Sequence, residues 1–267
     1  MSVEAALRPL TKLGRSSTAA IAGLGYAGFL LLESLYFAFW GWRRGQPVKL
    51  AAIFEQMRQV GVDAIPIVAM LSMTVGLMLG IQFVSALGEF GAESEVVIAV
   101  AKSVTREFGV LITGILIAGR TGSSLAARIG SMQVSQEVDA LAVIGIEPVR
   151  YLVAPALIAM LIMMPVLTIL SDAVALFGAA LYCSPILDIS VSAYLVQTLQ
   201  SLEPFDIMQG VLKSIVFALL ITLVGVSTGF GVSGGAEGVG RATTRAVVLS
   251  ISSLVVSDMM FSYFLNR

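Results

Sequence analysis

The sequence predicts an all-α integral membrane protein with five transmembrane helices, an N-terminal membrane-embedded elbow or interfacial helix, and one short cytoplasmic helix. Of the 267 residues, 57% are hydrophobic and only 12% are charged, whereas soluble domains carry about 25% charged residues. The apolar residues also form runs long enough to cross a bilayer, which takes about 20 residues per helix. Because such a chain would expose large apolar patches in water, the bilayer is its expected solvent.

Five apolar runs are predicted to span the membrane. They cover approximately residues 64–87, 96–118, 151–182, 211–231 and 246–265. We assign residues 1–62 to an N-terminal tail and elbow helix. Residues 63–267 are assigned to a five-span core, and together they form a single membrane domain.

A sixth run, residues 19–42, is long enough to span but is flanked by basic residues on both sides. The flanking cations are Arg8, Lys12 and Arg15 before the run, and Arg43, Arg44, Lys49 and Arg58 after it. Cytoplasmic segments next to spans are rich in Lys and Arg, and a spanning helix cannot keep both of its flanks in the cytoplasm. The run therefore predicts an elbow helix in the inner leaflet, with a sixth span as the alternative.

The same rule orients the five-span core. Segments 88–95 and 183–210 contain no Lys or Arg, whereas segments 119–150 and 232–245 contain arginines. An excess of Lys and Arg marks the cytoplasmic side. We therefore expect the two arginine-containing segments to be cytoplasmic loops, and the other two segments and the C-terminus to lie on the opposite side.

The 119–150 segment is long for a loop, and long loops often have a function. Its first part is rich in glycine, serine and alanine, which allow close backbone approach. In its second part, Val138 and Leu141 recur at helical spacing, with Ser135 as the expected N-cap and Gly145 as the expected stop. This pattern predicts a short amphipathic helix at the cytoplasmic surface. The helix is either an ordinary cap of the bundle or a docking element for a soluble partner.

Charged residues inside the predicted spans include Lys102, Arg106, Glu107, Asp172 and Asp258. Each costs about 2.5–3.5 kcal/mol at the bilayer centre on insertion scales, so each should face protein or water. Arg106 and Glu107 are adjacent in sequence and point apart, so each needs another partner. One interpretation is that Arg106, Asp172 and Asp258 form structural pairs inside the bundle. The other is that Arg106 or Lys102 contacts a lipid phosphate.

Several kinds of chemistry are not expected in this chain. It has no histidine and a single cysteine, Cys183, so we expect no metal site and no catalytic residue. None of its four lysines follows a glycine, as the nucleotide-binding P-loop requires, so no ATPase site and no cofactor are expected. The net charge of −1 gives no indication of a nucleic-acid partner.

The stretch AGRTGSSLAARIGSMQVSQEVDALAVIGIEPVRYLVAP, residues 118–155, resembles the signature of the MlaE/YrbE permease family. These proteins are membrane subunits of ABC transporters that work with MCE-domain proteins. The blocks A-G-R-x-G-S, A-x-x-G-x-M, E-x-D-A-L and G-x-x-P occur in order, and two further matches are REFG (106–109) and GGAEGVGRATTRAVV (234–248). The resemblance covers about residues 60–267. Lys102 departs from it, because family members are usually apolar there.

The resemblance implies a homodimer in the bacterial inner membrane, in which each subunit binds a cytoplasmic ATPase through the loop between the second and third spans. That ATPase would hold ATP and Mg, an MCE-domain protein would sit on the periplasmic side, and phospholipid would move through a cavity between the permease subunits. The residues assigned to ATPase coupling are Arg120, Arg128, Glu137, Asp139 and Leu141. Those assigned to the lipid cavity are Leu79, Gln82, Phe83, Glu93, Lys102 and Arg106.

Two other functions are kept as alternatives. An ion-coupled secondary transporter of an amphipathic substrate would use buried acidic residues as coupling sites, but such transporters commonly carry inverted repeats and broken helices, which this sequence does not show. A non-transporting membrane scaffold is the third class. Lipid transport that needs both ATP and a second subunit would separate the three.

Overall fold

The computed structural model describes residues 23, 25–37 and 48–265. In this part of the chain the regular elements are helices, which we number in chain order, beginning with α1 at residues 25–37. The others are α2 (Leu50–Val60), α3 (Ile65–Gly88), α4 (Glu93–Val134), α5 (Glu137–Val143), α6 (Val149–Ile186), α7 (Val191–Ser201), α8 (Pro204–Phe230) and α9 (Gly235–Leu265).

Among the described residues, five helical segments are long and apolar enough to cross a membrane, which confirms the predicted all-α membrane fold and its five-span core. They contain α3, α4, α6, α8 and α9. Short connections make consecutive spans antiparallel, so the bundle has two distinct ends. We call the end that holds the 88–95 turn and α7 the acidic end. The end that holds Arg128, Arg241 and Arg245 is called the basic end.

The predicted cytoplasmic loop at 119–150 is wrong in its first half. Helix α4 runs without a break through Val134, so residues 119–134 are helical and only the remainder contains connections and α5. Arg120 and Arg128 lower the hydropathy of this stretch, which ended the apolar run in the sequence. The helix nevertheless continues, because tertiary packing rather than hydropathy decides where a helix is stable.

The other two predicted loops, 183–210 and 232–245, are also shorter than expected. Helix α6 extends to Ile186, and α7 occupies most of the rest of the first segment. Helix α9 begins at Gly235, so the connection from α8 is only a few residues long. In both places the residues that follow the apolar run belong mostly to helices.

The tightest packing in the bundle is between α3 and α6. A Cβ atom at Gly76 would lie 1.9 Å from the carbonyl oxygen of Ala175, and one at Gly178 would lie 2.6 Å from the carbonyl oxygen of Met73. In the same interface the hydroxyls of Ser72 and Ser171 share a hydrogen bond of 2.7 Å. Small residues let these helices touch backbone to backbone, as is usual for membrane helices.

The small residues after position 118 serve the same purpose against α8 and the connection that follows it. A Cβ atom at Gly225 would lie 2.9 Å from the carbonyl oxygen of Gly122, and one at Gly130 would lie 2.7 Å from Cγ2 of Val232. Ala126 is fully buried between these contacts. The predicted close approach is confirmed there, whereas a Cβ at Gly119 would meet no atom within 4 Å.

The predicted elbow run, residues 19–42, falls partly outside the described residues. Its described part is α1, in which Leu30 and Phe37 are buried while Phe29 and Leu32 are exposed. This alternation gives α1 one face for protein and one for lipid. The choice between an elbow helix and a sixth span stays a prediction.

Candidate functional site

A network of ion pairs connects α4, α8 and α9 inside the bundle. Lys213 on α8 is fully buried, and its Nζ lies 2.7 Å from Oε2 of Glu107 and 3.0 Å from Oδ1 of Asp258. The same Nζ donates a hydrogen bond to the backbone carbonyl of Arg106, and the hydroxyl of Ser262 donates one to the other oxygen of Glu107. One cation therefore holds carboxylates from two other helices, which offsets the cost of burying charge in the membrane.

A second pair joins Arg106 to the start of α8. Its guanidinium Nε lies 2.6 Å from Oδ1 of Asp206, whose side chain is fully buried. The other oxygen of Asp206 accepts a hydrogen bond from the backbone N–H of Glu203, completing a capping box at the first turn of α8. Asp206 thus caps the start of α8 and also orients Arg106 on α4.

Lys102 and Arg106 lie one turn apart on α4 and keep part of their side chains exposed. Nζ of Lys102 is 3.8 Å from Oε1 of Glu203, a loose contact, and the side chains of Lys102 and Arg106 are 34% and 29% exposed. A loose ion pair at partial exposure adds little stability. These two cations can therefore reach a second anion without breaking the buried pairs.

The pairing interpretation is confirmed for Arg106 and Asp258 and wrong for Asp172. Asp172 on α6 is 8% exposed, and within the described part of the chain its Oδ1 has no hydrogen-bond partner. It faces Gly109 on α4, where an added Cβ would lie 1.7 Å from that oxygen. Sequence reasoning had no means to see that the cations of α4 and α8 pair elsewhere.

Sequence reasoning also missed Lys213 and Asp206 as members of the network. The fourth span was predicted to start at residue 211, which left Asp206 in a loop. Helix α8 starts at Pro204, and Asp206, Gln209 and Lys213 are all buried along it. Their spacing of three and four residues is typical of one helix face, so polar periodicity could have extended the predicted helix.

In the described ranges, three π-helical turns interrupt otherwise regular helices, at Val104–Phe108, Ala118–Gly122 and Val149–Val153. Each contains one arginine, at positions 106, 120 and 150. Such turns are rare and occur frequently at functional sites. The first supplies Arg106 and Glu107 to different partners, which confirms that these neighbours do not pair with each other.

The remaining residues assigned to a lipid cavity lie on α3 and at the acidic end. Leu79 is 6% exposed and belongs to an apolar cluster shared by α3, α4 and α6, against which Phe83 packs. Gln82 and Glu93 are exposed. The assignment of these four residues to a lipid cavity stays a prediction.

Helix α5 is present, but its predicted N-cap is wrong. The N-cap residue is Gln136, whose φ of 59° is left-handed, while the Ser135 hydroxyl bonds to the carbonyl oxygen of Ser131 and to the Glu137 carboxylate. The predicted stop at Gly145 is confirmed. Its φ is +80°, and the paired backbone bonds that follow α5 form a Schellman motif.

The surface of α5 combines charge with exposed apolar side chains. Val138 is buried, Leu141 is partly buried, and Glu137 and Asp139 are exposed. At its C-terminal end, Val143 and Ile144 are 87% and 68% exposed. Arg120 and Arg128, assigned with α5 to ATPase coupling, lie instead beside α2 in a separate pocket. The coupling assignments stay predictions.

A sequence model of the family described as Permease MlaE matches residues 53–264 of this chain. The chain belongs to the MlaE permease family. This confirms the resemblance seen in the sequence and, with the five apolar helices, identifies a multi-pass membrane protein. The match begins within α2 and ends near the last residue of α9, so it includes the whole five-span bundle.

Three relatives show the range of this MlaE permease family. The intermembrane phospholipid transport system permease protein MlaE of Haemophilus influenzae is 31% identical over 256 residues, 94% of each chain. A probable ABC transporter permease protein of Rickettsia prowazekii is 38% identical over 216 residues, which cover 81% of this chain and 83% of the relative. The chloroplastic protein TRIGALACTOSYLDIACYLGLYCEROL 1 of Arabidopsis thaliana is 34% identical over 210 residues, 79% of this chain and 60% of the relative.

Proposed function

We propose that this chain is the permease subunit of an ABC transporter that moves phospholipid or a related lipid between a bacterial inner membrane and a periplasmic MCE-domain partner. The observation that carries this proposal is the 94% coverage, at 31% identity, by a relative named for intermembrane phospholipid transport. The names of the Rickettsia relatives as ABC transporter permeases support a separate ATPase subunit. ATP and Mg would be held by that subunit.

We propose α5 as the element that docks the ATPase. Glu137 and Asp139 point into solvent, and Val143 and Ile144 beside them are among the most exposed apolar residues of the described chain. An exposed apolar tip with charges at its rim is typical of a protein interface. A second copy of the chain would complete the transporter as a homodimer.

We propose the acidic half of the bundle as the lipid-handling region. Lys102 and Arg106 are partly exposed cations held close to buried carboxylates, so a lipid phosphate can bind them without leaving a buried acid unpaired. The surface of α3 that carries Gln82 would face the same cavity, with Leu79 and Phe83 behind it and Glu93 at its rim.

Reconstitution tests the transporter class. Proteoliposomes containing this chain with its ATPase and MCE-domain partner should transfer labelled phospholipid only when ATP is added. Omission of the ATPase should remove transfer. Transfer that persists without ATP and follows an ion gradient would instead identify a secondary transporter.

A charge reversal tests the docking element. The double change Glu137→Lys and Asp139→Lys should prevent co-purification of the ATPase, because a charge left unpaired in an interface costs about 2–5 kcal/mol. The matched control is Glu89→Lys with Glu95→Lys, which makes the same charge change at the acidic end and should leave co-purification normal. Normal ATPase recovery with the α5 variant would place docking elsewhere.

A further inference from the structure

A small polar pocket lies between α2 and α4 at the basic end of the bundle. Its volume is about 220 Å³. Arg120 and Arg128 line it from α4 together with Ser124, and Gln56, Gln59 and Asp63 line it from α2 and the turn that follows. The pocket is distinct from the ion-pair network, which occupies the other half of α4.

Both arginines present unsatisfied donors in this pocket. Nη1 of Arg120 and Nε of Arg128 are buried from solvent, and within the described part of the chain neither has a hydrogen-bond partner. Buried donors without a partner are costly, and a guanidinium more so because it is charged. Neither arginine forms an ion pair with a described residue, in contrast to Arg106.

The charge balance of the pocket favours an anion. Asp63 is the single carboxylate among the lining residues, and its nearest cation is Arg58, with Nη1 at 3.7 Å from Oδ1. That contact draws Asp63 away from the arginines on α4. The guanidinium groups of Arg120 and Arg128 therefore face amide and hydroxyl groups and one carboxylate, Asp63, which already contacts Arg58.

The length of α4 supports a position of the pocket near the headgroups of one leaflet, with Glu93 near those of the other. Arg120 follows Glu93 by 27 residues along α4, a length of about 40 Å at helical rise. A bilayer with its headgroup regions is about 40–45 Å thick, so Arg120 reaches the headgroup level of the leaflet at the basic end. Leu50 and Phe54 on α2 are exposed, as expected for a helix that lies against acyl chains at that level.

We propose that this pocket binds a phosphate group through Arg120 and Arg128, supplied either by a phospholipid headgroup of the adjacent leaflet or by free phosphate. Guanidinium groups match phosphate oxygens in geometry and charge. The amide group of Gln56 and the hydroxyl of Ser124 add neutral donors for the remaining oxygens, whereas the amide nitrogen of Gln59 already donates to Glu55. Arg120, which lines the pocket, belongs to the π-helical turn at Ala118–Gly122.

Binding measurements on the purified full-length chain in detergent test the proposal. Inorganic phosphate is titrated by calorimetry, and retention of dioleoylphosphatidylglycerol is measured by native mass spectrometry against dioleoylglycerol, which lacks the phosphate. Arg120→Gln and Arg128→Gln should each weaken phosphate-dependent binding by about tenfold or more, the loss of one charge-assisted contact. Arg241→Gln is the matched control, since Arg241 is exposed and pairs with Glu237, and it should bind like the unmodified chain.

A second substitution guards against variants that fail to fold. Ser124→Asp adds a carboxylate beside the two arginines and should raise the melting temperature while abolishing phosphate binding. Ser124→Asn has the same size without the charge and should do neither. This pair separates occupation of the pocket from general damage to the bundle.

The binding results identify the source of the phosphate group and test the proposal itself. Retention of the phospholipid with weak binding of inorganic phosphate identifies a headgroup site, and displacement of the lipid by inorganic phosphate identifies a site open to both sources. Unchanged binding in both arginine variants, or a Ser124→Asp chain that still binds phosphate, overturns the proposal. Co-purification of the ATPase with Arg120→Gln separately tests the coupling role predicted for that residue, so the two ideas fail independently.

Discussion

The ammonium of Lys213 on α8, fully buried, lies 2.7 Å from the carboxylate of Glu107 on α4 and 3.0 Å from that of Asp258 on α9. Three helices are thereby held together by one cation inside the membrane. Because both carboxylates depend on the same amine, the network stabilises the bundle only while Lys213 is present. Removing the amine leaves two carboxylates without their cation, one nearly buried (Asp258) and one 28% exposed (Glu107).

Lys213→Met should therefore lower the free energy of unfolding by about 3–5 kcal/mol, the usual cost of breaking a buried pair from one side. Thermal unfolding in detergent, together with the membrane level of the protein, measures this. Adding Glu107→Gln and Asp258→Asn to the same chain should recover most of the loss, because no anion is then left unpaired. A single variant as stable as the unmodified chain would show that the carboxylates have other partners.

Asp172→Asn should be neutral or stabilising. The carboxylate is nearly buried, and Oδ1 has no hydrogen-bond partner among the described residues, so an uncharged amide of the same size removes the cost of a lone charge in the membrane. The same unfolding assay applies, with Asp258→Asn as the comparison that should destabilise. Loss of stability in Asp172→Asn comparable to that in Asp258→Asn would contradict the structure.

Gly76→Ala should destabilise the bundle by about 1–3 kcal/mol, the range for overpacking a tight contact. The added Cβ would lie 1.9 Å from the carbonyl oxygen of Ala175, so α3 and α6 would have to separate. Gly240→Ala is the matched control. Gly240 lies inside α9 with open space around it, so alanine there should stabilise by up to about 1 kcal/mol through helix propensity. Equal melting temperatures for the two variants would contradict this packing.

Cysteine labelling tests the orientation of the two ends. In a Cys183→Ala background, which removes a fully buried thiol, a cysteine at Ser94 should react with an impermeant maleimide in intact cells. A cysteine at Ser131 should react only after the membrane is opened, because the basic end is predicted to be cytoplasmic. Both positions are exposed, so accessibility within the protein does not limit the reaction. Labelling of the Ser131 site from outside would invert the topology.

The number and order of the spans could be predicted because apolar runs of bilayer length are a strong signal. Helix ends could not, since Arg120 and Asp206 lower the hydropathy of helices that continue through them. The helix stop at Gly145 could be predicted because the tolerance of glycine for a positive φ is a local property of the sequence. Ser135 was misassigned as a cap because Gln136, an unusual residue for a left-handed conformation, takes that position.

The ion-pair partners inside the bundle could not be predicted from the sequence. The charges of α4 were identified as needing partners, but residues about a hundred positions away, Asp206 and Lys213, supply them. Periodicity within one helix does not reveal which faces of two helices meet. The pocket of Arg120 and Arg128 was hidden for the same reason, since it forms only when α2 packs beside α4.

The π-helical turns in α4 determine where this helix can tolerate a change in length. Each turn accommodates one residue more than regular α-helical geometry, and each residue rotates the helix by about 100°. Deleting one residue between Val104 and Phe108 would convert this turn to regular α-helix and leave Arg120 in nearly the same orientation, whereas a deletion in a regular turn of α4 would rotate the remainder by that angle and carry Arg120 out of its pocket. Single-residue gaps in alignments of this family should therefore be rare within α4 outside its two π-helical turns. A gap at either π-helical turn marks a relative in which that turn is regular α-helix and the two ends keep their relative orientation.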